Sequence, residues 1–518
     1  MSLVELRSRY FDPRPIIRRV IDDTIPHIPR VLIDAITGQL HDKAQQANVF
    51  ETDPIFNELV LSMTARVDVR RIRQEVTQFY RYVMFSHKWA RDEPLLHTVK
   101  QITVYRLEAS PENMKLQSFC SLVQSLGFRW AWSDTCCIDK VNNVVLQEAL
   151  VAMFGWYRDS ALTLIYLVGI SSDSPEPGDL QRSIWNTRVW TFQEYLAAER
   201  VQFYTEDWKP YRGLTLWNHK ESPIILAEIE RASQVSSAQL AVLRPGLDRV
   251  REKLYLASGR QTTLVEDAAY ALLGIFKAGI PVMYGEGTRA VGRLLEHILT
   301  GSRDVTVLAW TGTANDYNSC LPMNLTVYSD LVPRHVPRPM EADEVDRMVA
   351  ELWSSLPDIA LAVSLYDQLN RLPTATIASS RLHLPGIVSR VTGIVHTPDP
   401  DATTTTPHVY HITTTTFSDV TVRTVRTLNT EHDLYLVHPW IRPLLDQGFA
   451  RDGAALDATT RALALLARLR LPFGALLLER VSRVEHTRVA ADGVIMARVR
   501  ADVSLSDVIG GIRIMDVQ

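Results

Sequence analysis

Cysteine is scarce in this chain: there are four in 518 residues, Cys120, Cys136, Cys137 and Cys320. No C-x-x-C pair occurs, so they form no disulfide framework, and a reducing compartment is the expected setting. Long apolar runs are also missing. The longest, ALTLIYLVGI at 161–170, is half the length of a membrane span, and the opening MSLVELRSRYFDPRP lacks an apolar signal core. A cytoplasmic protein with no membrane span is expected. An excess of basic charge is absent too: 55 Lys and Arg stand against 59 Asp and Glu, for a formal net charge of -4. This argues against nucleic acid or an anionic membrane as partner, since either calls for a basic patch. The common phosphate-loop, dinucleotide, nucleophile-elbow and zinc-protease signatures are all lacking. His408 and His411 lie three apart in a predicted strand and so point to opposite faces, which argues against a shared metal. Neither a metal nor a resident cofactor is expected.

What is present is ordinary globular texture, with 46% hydrophobic and 22% charged residues, over a length that fits two to four domains. Residues 1–79 carry broken helical patterns interrupted by proline and read as a helical N-terminal extension. From residue 80 the texture changes. YRYVMFSHKW (80–89), FRWAWSDTCCID (128–139), ALTLIYLVG (161–169) and RVQFYT (200–205) read as strands. They alternate with predicted helices near 114–127, 144–160 and 183–198. Asn142 and Asn143 are candidate caps for the second helix, and Leu146, Leu150, Met153 and Tyr157 form its apolar stripe. Continuous apolar strands separated by helices predict a mainly parallel sheet with flanking helices over 80–205. Residues 206–319 read as a helical region packed on that domain. DVTVLAW from 304, and several Val- and Thr-rich stretches after it, shift the pattern toward strands, giving a β-rich C-terminal domain over 320–518 with a helix at 457–470.

Three polar clusters end the predicted strands: Ser86-His87-Lys88-Trp89, then Trp132-Ser133-Asp134 through Cys136-Cys137 to Asp139, then the helix that carries RVWTFQE at 188–194. In a parallel α/β sheet, ligands bind outside the carboxyl ends of the strands. Each residue also has a plain structural reading. The tryptophans can be core, Asp134 and Asp139 can cap a turn, the cysteines can be inert buried thiols, and Glu194 can serve a helix start.

YRYVMFSHKW, WAWSDTCCIDK and SIWNTRVWTFQE resemble, in order and spacing, the three hallmark segments of fungal heterokaryon incompatibility (HET) domains. Those run roughly Y-x-x-L-S-Y-x-W-G, W-x-D-x-x-C-I-D-Q and R-x-W-T-x-Q-E. His87 stands for the usual Tyr, Ala90 for Gly and Lys140 for Gln. GRQTTLVEDAAYALLGIFKAGIPVMYGEGTRAVGRLLEHI (259–298) resembles the region that often follows such a domain. The HET family is in turn distantly similar to Toll/interleukin-1 receptor (TIR) domains, which have a flavodoxin-like parallel sheet and some of which hydrolyse NAD. MFSHKW is similar to the first TIR strand, Phe128 to Asp134 to the second, and Trp190 to Glu194 to the W-x-x-x-E segment with its catalytic Glu.

The resemblance implies an effector of fungal self/non-self recognition and regulated cell death, a form of innate immunity. As a NAD glycohydrolase it would use Glu194 as the catalytic carboxylate, with Ser86, His87, Trp89, Trp132, Asp134 and Trp190 as substrate contacts. NAD is then a substrate rather than a cofactor. The alternative is a non-enzymatic signalling module that self-associates through the HET domain and meets a protein partner of an incompatibility system.

Overall fold

The computed structural model describes residues 12–63, 67–173, 176–330, 342–355, 358–397, 407–429, 433–440 and 457–518. They form two compact units that divide between Leu243 and Arg244. The stretch 206–319, read from the sequence as one helical block, is therefore shared between them.

The first unit is built on a six-stranded sheet of order β2-β1-β4-β3-β5-β6, with β1 at Val31–Asp34, β2 at Gln39–Asp42, β3 at Tyr82–Ser86, β4 at Trp130–Trp132, β5 at Leu162–Leu167 and β6 at Val201–Thr205. β4, β3, β5 and β6 run parallel, as the alternation of apolar strands and helices predicts. Every residue of β3 is buried, which is why its sequence shows no polar alternation. Its two faces are nonetheless distinct. Phe85 stacks on Phe119 of the helix Pro111–Ser125 at 4.3 Å. Tyr82, on the opposite face with Met84 and Ser86, donates its hydroxyl to Trp156 O of the helix Asn143–Asp159 at 2.7 Å. Asn142 caps that helix through the amides of Val144 and Val145, and Leu150, Met153 and Tyr157 of the predicted stripe are buried.

The N-terminal segment is not only helical. β1 and β2 form an antiparallel hairpin, and β1 extends the sheet by pairing antiparallel with β4. A glycine is required at its turn: Gly38 has φ +72°, and a Cβ there would meet the Tyr105 ring at 2.8 Å. Asp34, at the end of β1, is 1% exposed. One carboxylate oxygen accepts Arg129 Nε at 3.0 Å and Nη2 at 2.8 Å, while the other accepts the Ile36 amide at 2.9 Å. Arg129 also reaches Asp53 at 3.1 Å, so one guanidinium ties the hairpin and the helix Pro54–Ser62, which Asp53 caps, to the start of β4.

The expected helix over 183–198 is interrupted. Ile184–Thr187 and Val189–Ala197 are separate helices because Arg188 between them is extended, at φ -83° and ψ 139°. Thr191 Oγ1 donates to the carbonyls of Trp185 (2.7 Å) and Arg188 (2.8 Å), holding the break with a side chain.

The second unit opens with helices at Val250–Ser258 and Arg289–Ser302. Val305–Leu308, predicted as strand, is a 3₁₀ turn instead, since Asp304 caps it at the Thr306 amide. Beyond it the region is β-rich. The 17-residue strand Arg381–Thr397 pairs along its first half with Leu434–Pro439 and with Ile512–Val517. Leu476–Arg480 and Glu485–Arg488 complete the path between those two, so the five strands close into a barrel. The second half of the long strand pairs with His408–Thr414, and that with Val420–Thr424. The predicted helix near 457–470 is Ala458–Leu469; it shares an apolar core with Ile359–Arg371, which the sequence reading missed. The Thr run at 403–406 lies outside the described residues. Among the described residues no helix is long and apolar enough to cross a membrane.

Replacing Asp34 with Ala removes a buried carboxylate that serves one guanidinium and the amides of Ile36 and Thr37. Chemical denaturation should show a loss of about 2–3 kcal/mol. A loss under about 1 kcal/mol would mean that the hairpin docks without this pair.

Candidate functional site

The chain leaves β3 to form β4 on one side, then returns to form β5 on the other. Helices consequently diverge to opposite faces at the carboxyl end of β3, the position at which open α/β sheets commonly bind ligands. Ser86 is the residue at that point. It lies on the face covered by Asn143–Asp159, and its side chain is fully buried. Trp185 Nε1 donates to Ser86 Oγ at 2.7 Å, and Ser86 Oγ donates in turn to Glu194 Oε2. Glu194 is 6% exposed and Trp185 1%. Three polar groups are thus brought into line from β3, the short helix Ile184–Thr187 and the helix Val189–Ala197. The break at Arg188 lets the last two converge on one serine.

A second cluster forms the neighbouring rim. Trp89 is 40% exposed, and its Nε1 donates to Asp134 Oδ2 at 2.7 Å. The Lys140 ammonium lies 3.4 Å from the centre of the same indole, a close cation–π contact. Burial pushes the Asp134 carboxyl up to about 6, against the opposing pull of Lys140 and the indole N–H. Burial also lowers the Lys140 ammonium, with Asp134 opposing.

His87 sits below, stacked on Phe85 at 4.1 Å. Burial first, then Lys115 and Lys140, hold its imidazole well below the usual histidine range, so it is neutral. Neither ring nitrogen has a hydrogen-bond partner, and the Glu93 carboxylate is 3.7 Å from Nε2. Glu93 instead takes the Lys115 ammonium and the Ala90 amide (3.0 Å), which folds the loop after β3 back on itself.

Tyr157 lies between the clusters. Its hydroxyl donates to Phe85 O at 3.1 Å, and burial, then the charges of Glu194 and Asp134, push the phenol well above its ordinary range. Trp132 is fully buried, edge-on to Trp156 at 5.8 Å and to Tyr157 at 6.0 Å, and forms the floor beneath them. Trp190 is half-buried at the start of the Glu194 helix.

Of the residues singled out from sequence, Ser86 and Glu194 share a hydrogen bond, as do Trp89 and Asp134, while His87 lies beneath the rim. Trp185, Glu93 and Lys115 were missed. Trp185 could have been found, since it stands inside the same segment as Glu194. Lys115 left a fainter signal, a lysine four residues before Phe119 on the buried face of its helix. All four cysteines are buried thiols, and burial raises Cys120 and Cys137 well above the normal thiol range. Among the described residues no three His, Cys, Asp or Glu side chains converge to hold a metal.

Residues 82–183 match the family model "Heterokaryon incompatibility protein (HET)". That span holds Ser86, His87, Trp89, Asp134 and Lys140 and ends before Trp185 and Glu194. The chain is 34% identical over 229 residues to the vegetative incompatibility protein HET-E-1 of Podospora anserina. The alignment covers 42% of this chain and only 16% of that relative. No solved structure matches.

Asp134 sets a pH dependence whose sign follows from its raised value. The folded state holds this proton up to about pH 6, whereas the unfolded chain releases it at about 4. Through this group stability is greatest below about pH 4 and falls as pH rises to about 6. Asp134→Asn keeps an acceptor for Trp89. Denaturation midpoints between pH 4 and 7 should decline less in this variant than in the parent, and parallel profiles would remove Asp134 from the account.

Proposed function

The chain carries a heterokaryon incompatibility domain over residues 82–183, and we propose that it is an effector of vegetative incompatibility that hydrolyses NAD to nicotinamide and ADP-ribose. On this reading it acts in the cytoplasm, and loss of NAD ends in regulated cell death. The observation that carries the reading is the buried line Trp185–Ser86–Glu194 at the point where strand order reverses. The parallel strands in chain order run 2-1-3-4 across the sheet. This supports a flavodoxin-like, TIR-like domain, for which the rule of the strand-order reversal puts the ligand at Ser86.

The chemistry fits a single carboxylate. The glycosidic bond between ribose C1′ and the pyridinium nitrogen breaks, and the nitrogen takes the electron pair. Because that nitrogen is already cationic, nicotinamide leaves neutral, and the acid that ordinary glycosidases use to protonate the leaving group is unnecessary. The sugar becomes oxocarbenium-like, and Glu194 stabilises the developing positive charge while accepting from the ribose hydroxyls. Water then bonds to C1′ and releases its proton. Trp185 and Ser86 are positioning residues that fix the carboxylate rotamer. Trp89 offers the exposed indole on which a flat base stacks, and Asp134 holds that indole. Trp132 supports the site from below, and Trp190 shapes its wall.

A second reading has its own observation. Glu194 is 6% exposed and bound by Ser86, as befits a structural acid in a non-enzymatic module that signals by self-association with a protein partner.

Glu194→Gln preserves shape and an acceptor for Ser86 while removing charge. With unchanged thermal stability, nicotinamide release from NAD should fall by roughly 10²–10³-fold. Release at the parental rate would reduce Glu194 to a helix residue. If the parent releases no nicotinamide even when clustered, the signalling reading stands instead.

A further inference from the structure

The helix Asn143–Asp159 has the Glu194 helix against one side. Facing the N-terminal segment it borders a cavity of about 300 Å³. Val145, Ala149, Ala152 and Trp156 line it from the helix, Pro26 and Ile28 from the N-terminal segment, and Cys137 and Ile138 from the turn after β4. β1 runs antiparallel to β4, so residues just before β1 and just after β2 lie at the carboxyl end of β4. The cavity therefore opens on the same edge of the sheet as Ser86, beyond β4.

Its polar groups are few. Arg30 and Lys43 stand against the single acid Glu148, which leaves one net positive charge on an otherwise apolar lining. Arg30 reaches Glu148 at 3.4 Å, and both side chains are more than half exposed, so that pair sits at the mouth. Lys43 is the more enclosed cation. Its ammonium donates to the Pro26 carbonyl at a long 3.3 Å. Burial, and then the Arg30 charge, lower its affinity for a proton. The helix that Lys43 begins contributes no anion site of its own, because Asp42 and Gln45 already cap it.

We propose that this cavity binds a small amphipathic monoanion, an apolar body bearing one carboxylate, with the carboxylate on Lys43 and the body against Trp156 and Ala152. The volume lies at the lower end of the range of small-molecule pockets, which selects a short chain or a single ring. An anion is favoured over a neutral ligand because it relieves the repulsion between Lys43 and Arg30, and over a cation because the net charge is positive. Cys137 and Ile138 belong to the same turn that carries Asp134 and Lys140. The ligand therefore contacts the segment that builds the rim of the neighbouring site without entering it.

The probe is octanoate titrated into the full-length protein, with octanol as the neutral control. Binding is followed by calorimetry, and by the change in indole emission that Trp156→Phe should remove. Saturable one-site binding is expected, with octanoate tighter than octanol by about five- to tenfold. Lys43→Gln should abolish that preference and leave octanol binding unchanged. Ala152→Phe fills the cavity and should eliminate both. Absence of saturable binding, equal affinity for the two probes in the parent, or an unaltered preference in Lys43→Gln overturns the proposal. So does normal binding by a folded Ala152→Phe. Should Ala152→Phe fail to fold, Lys43→Gln decides alone, since it alters only a half-buried side chain on a helix end.

Discussion

Strand β3 is buried along its whole length and hydrogen-bonded on both edges. Nothing polar can be accommodated within it, so polar chemistry is confined to its ends. At the carboxyl end the strand order reverses, and the two crossovers pull their helices to opposite faces. Ser86, the last strand residue, is placed at that divergence with a hydroxyl to satisfy and no backbone neighbour to satisfy it. Trp185 and Glu194 supply the donor and the acceptor. The break at Arg188, the burial of Glu194 and the line through Ser86 follow from that one constraint.

The same constraint decides how much was legible beforehand. β3 and β5 are covered on both faces, so they read as continuous apolar runs, and each lies inside the segment expected to hold it, 80–89 and 161–169. The hairpin was not legible. VLID and QLHD are four residues each, too short for a period to declare itself, and they follow prolines that read as breaks. Their place in the sheet depends on Arg129, a contact nearly a hundred residues away in sequence. DVTVLAW misled for a local reason: β-branched residues favour strand, but Asp304 offered the backbone a cap, and the segment turned. The site was legible in part. Ser86 and Asp134 stand out because each is polar at the end of an apolar strand, and Glu194 because it is the one acid in its helix. Trp185 and Lys115 do not, because an indole and a lysine stem both pass for packing residues until their polar ends are seen to be bonded.

The two clusters differ in what holds them. The line through Ser86 is sealed, and breaking it leaves a buried polar group unsatisfied, which is costly. The rim of Trp89, Asp134 and Lys140 is held by one hydrogen bond and one cation–π contact at a partly exposed indole, each a modest contribution. Glu93 and Lys115 anchor the loop between them by an ion pair that is itself nearly buried.

From this asymmetry follows the order in which the proposed site would open. Glu194 cannot meet a ligand by retreating, because Ser86 and Trp185 are core and Tyr157 packs beside them. Access has to come from the rim, where Trp89 is already 40% exposed. Protonation of Asp134 weakens its hold on the indole N–H, since a neutral acid is a poorer acceptor than a carboxylate. It also leaves the Lys140 ammonium without its nearest counter-charge. Lys140 occupies a position that is commonly Gln in the motif it resembles, and Gln there could hydrogen-bond the rim but not load it with charge. In this chain the rim is therefore held by electrostatics that respond to pH and salt, while the acid beneath it is held by packing that does not.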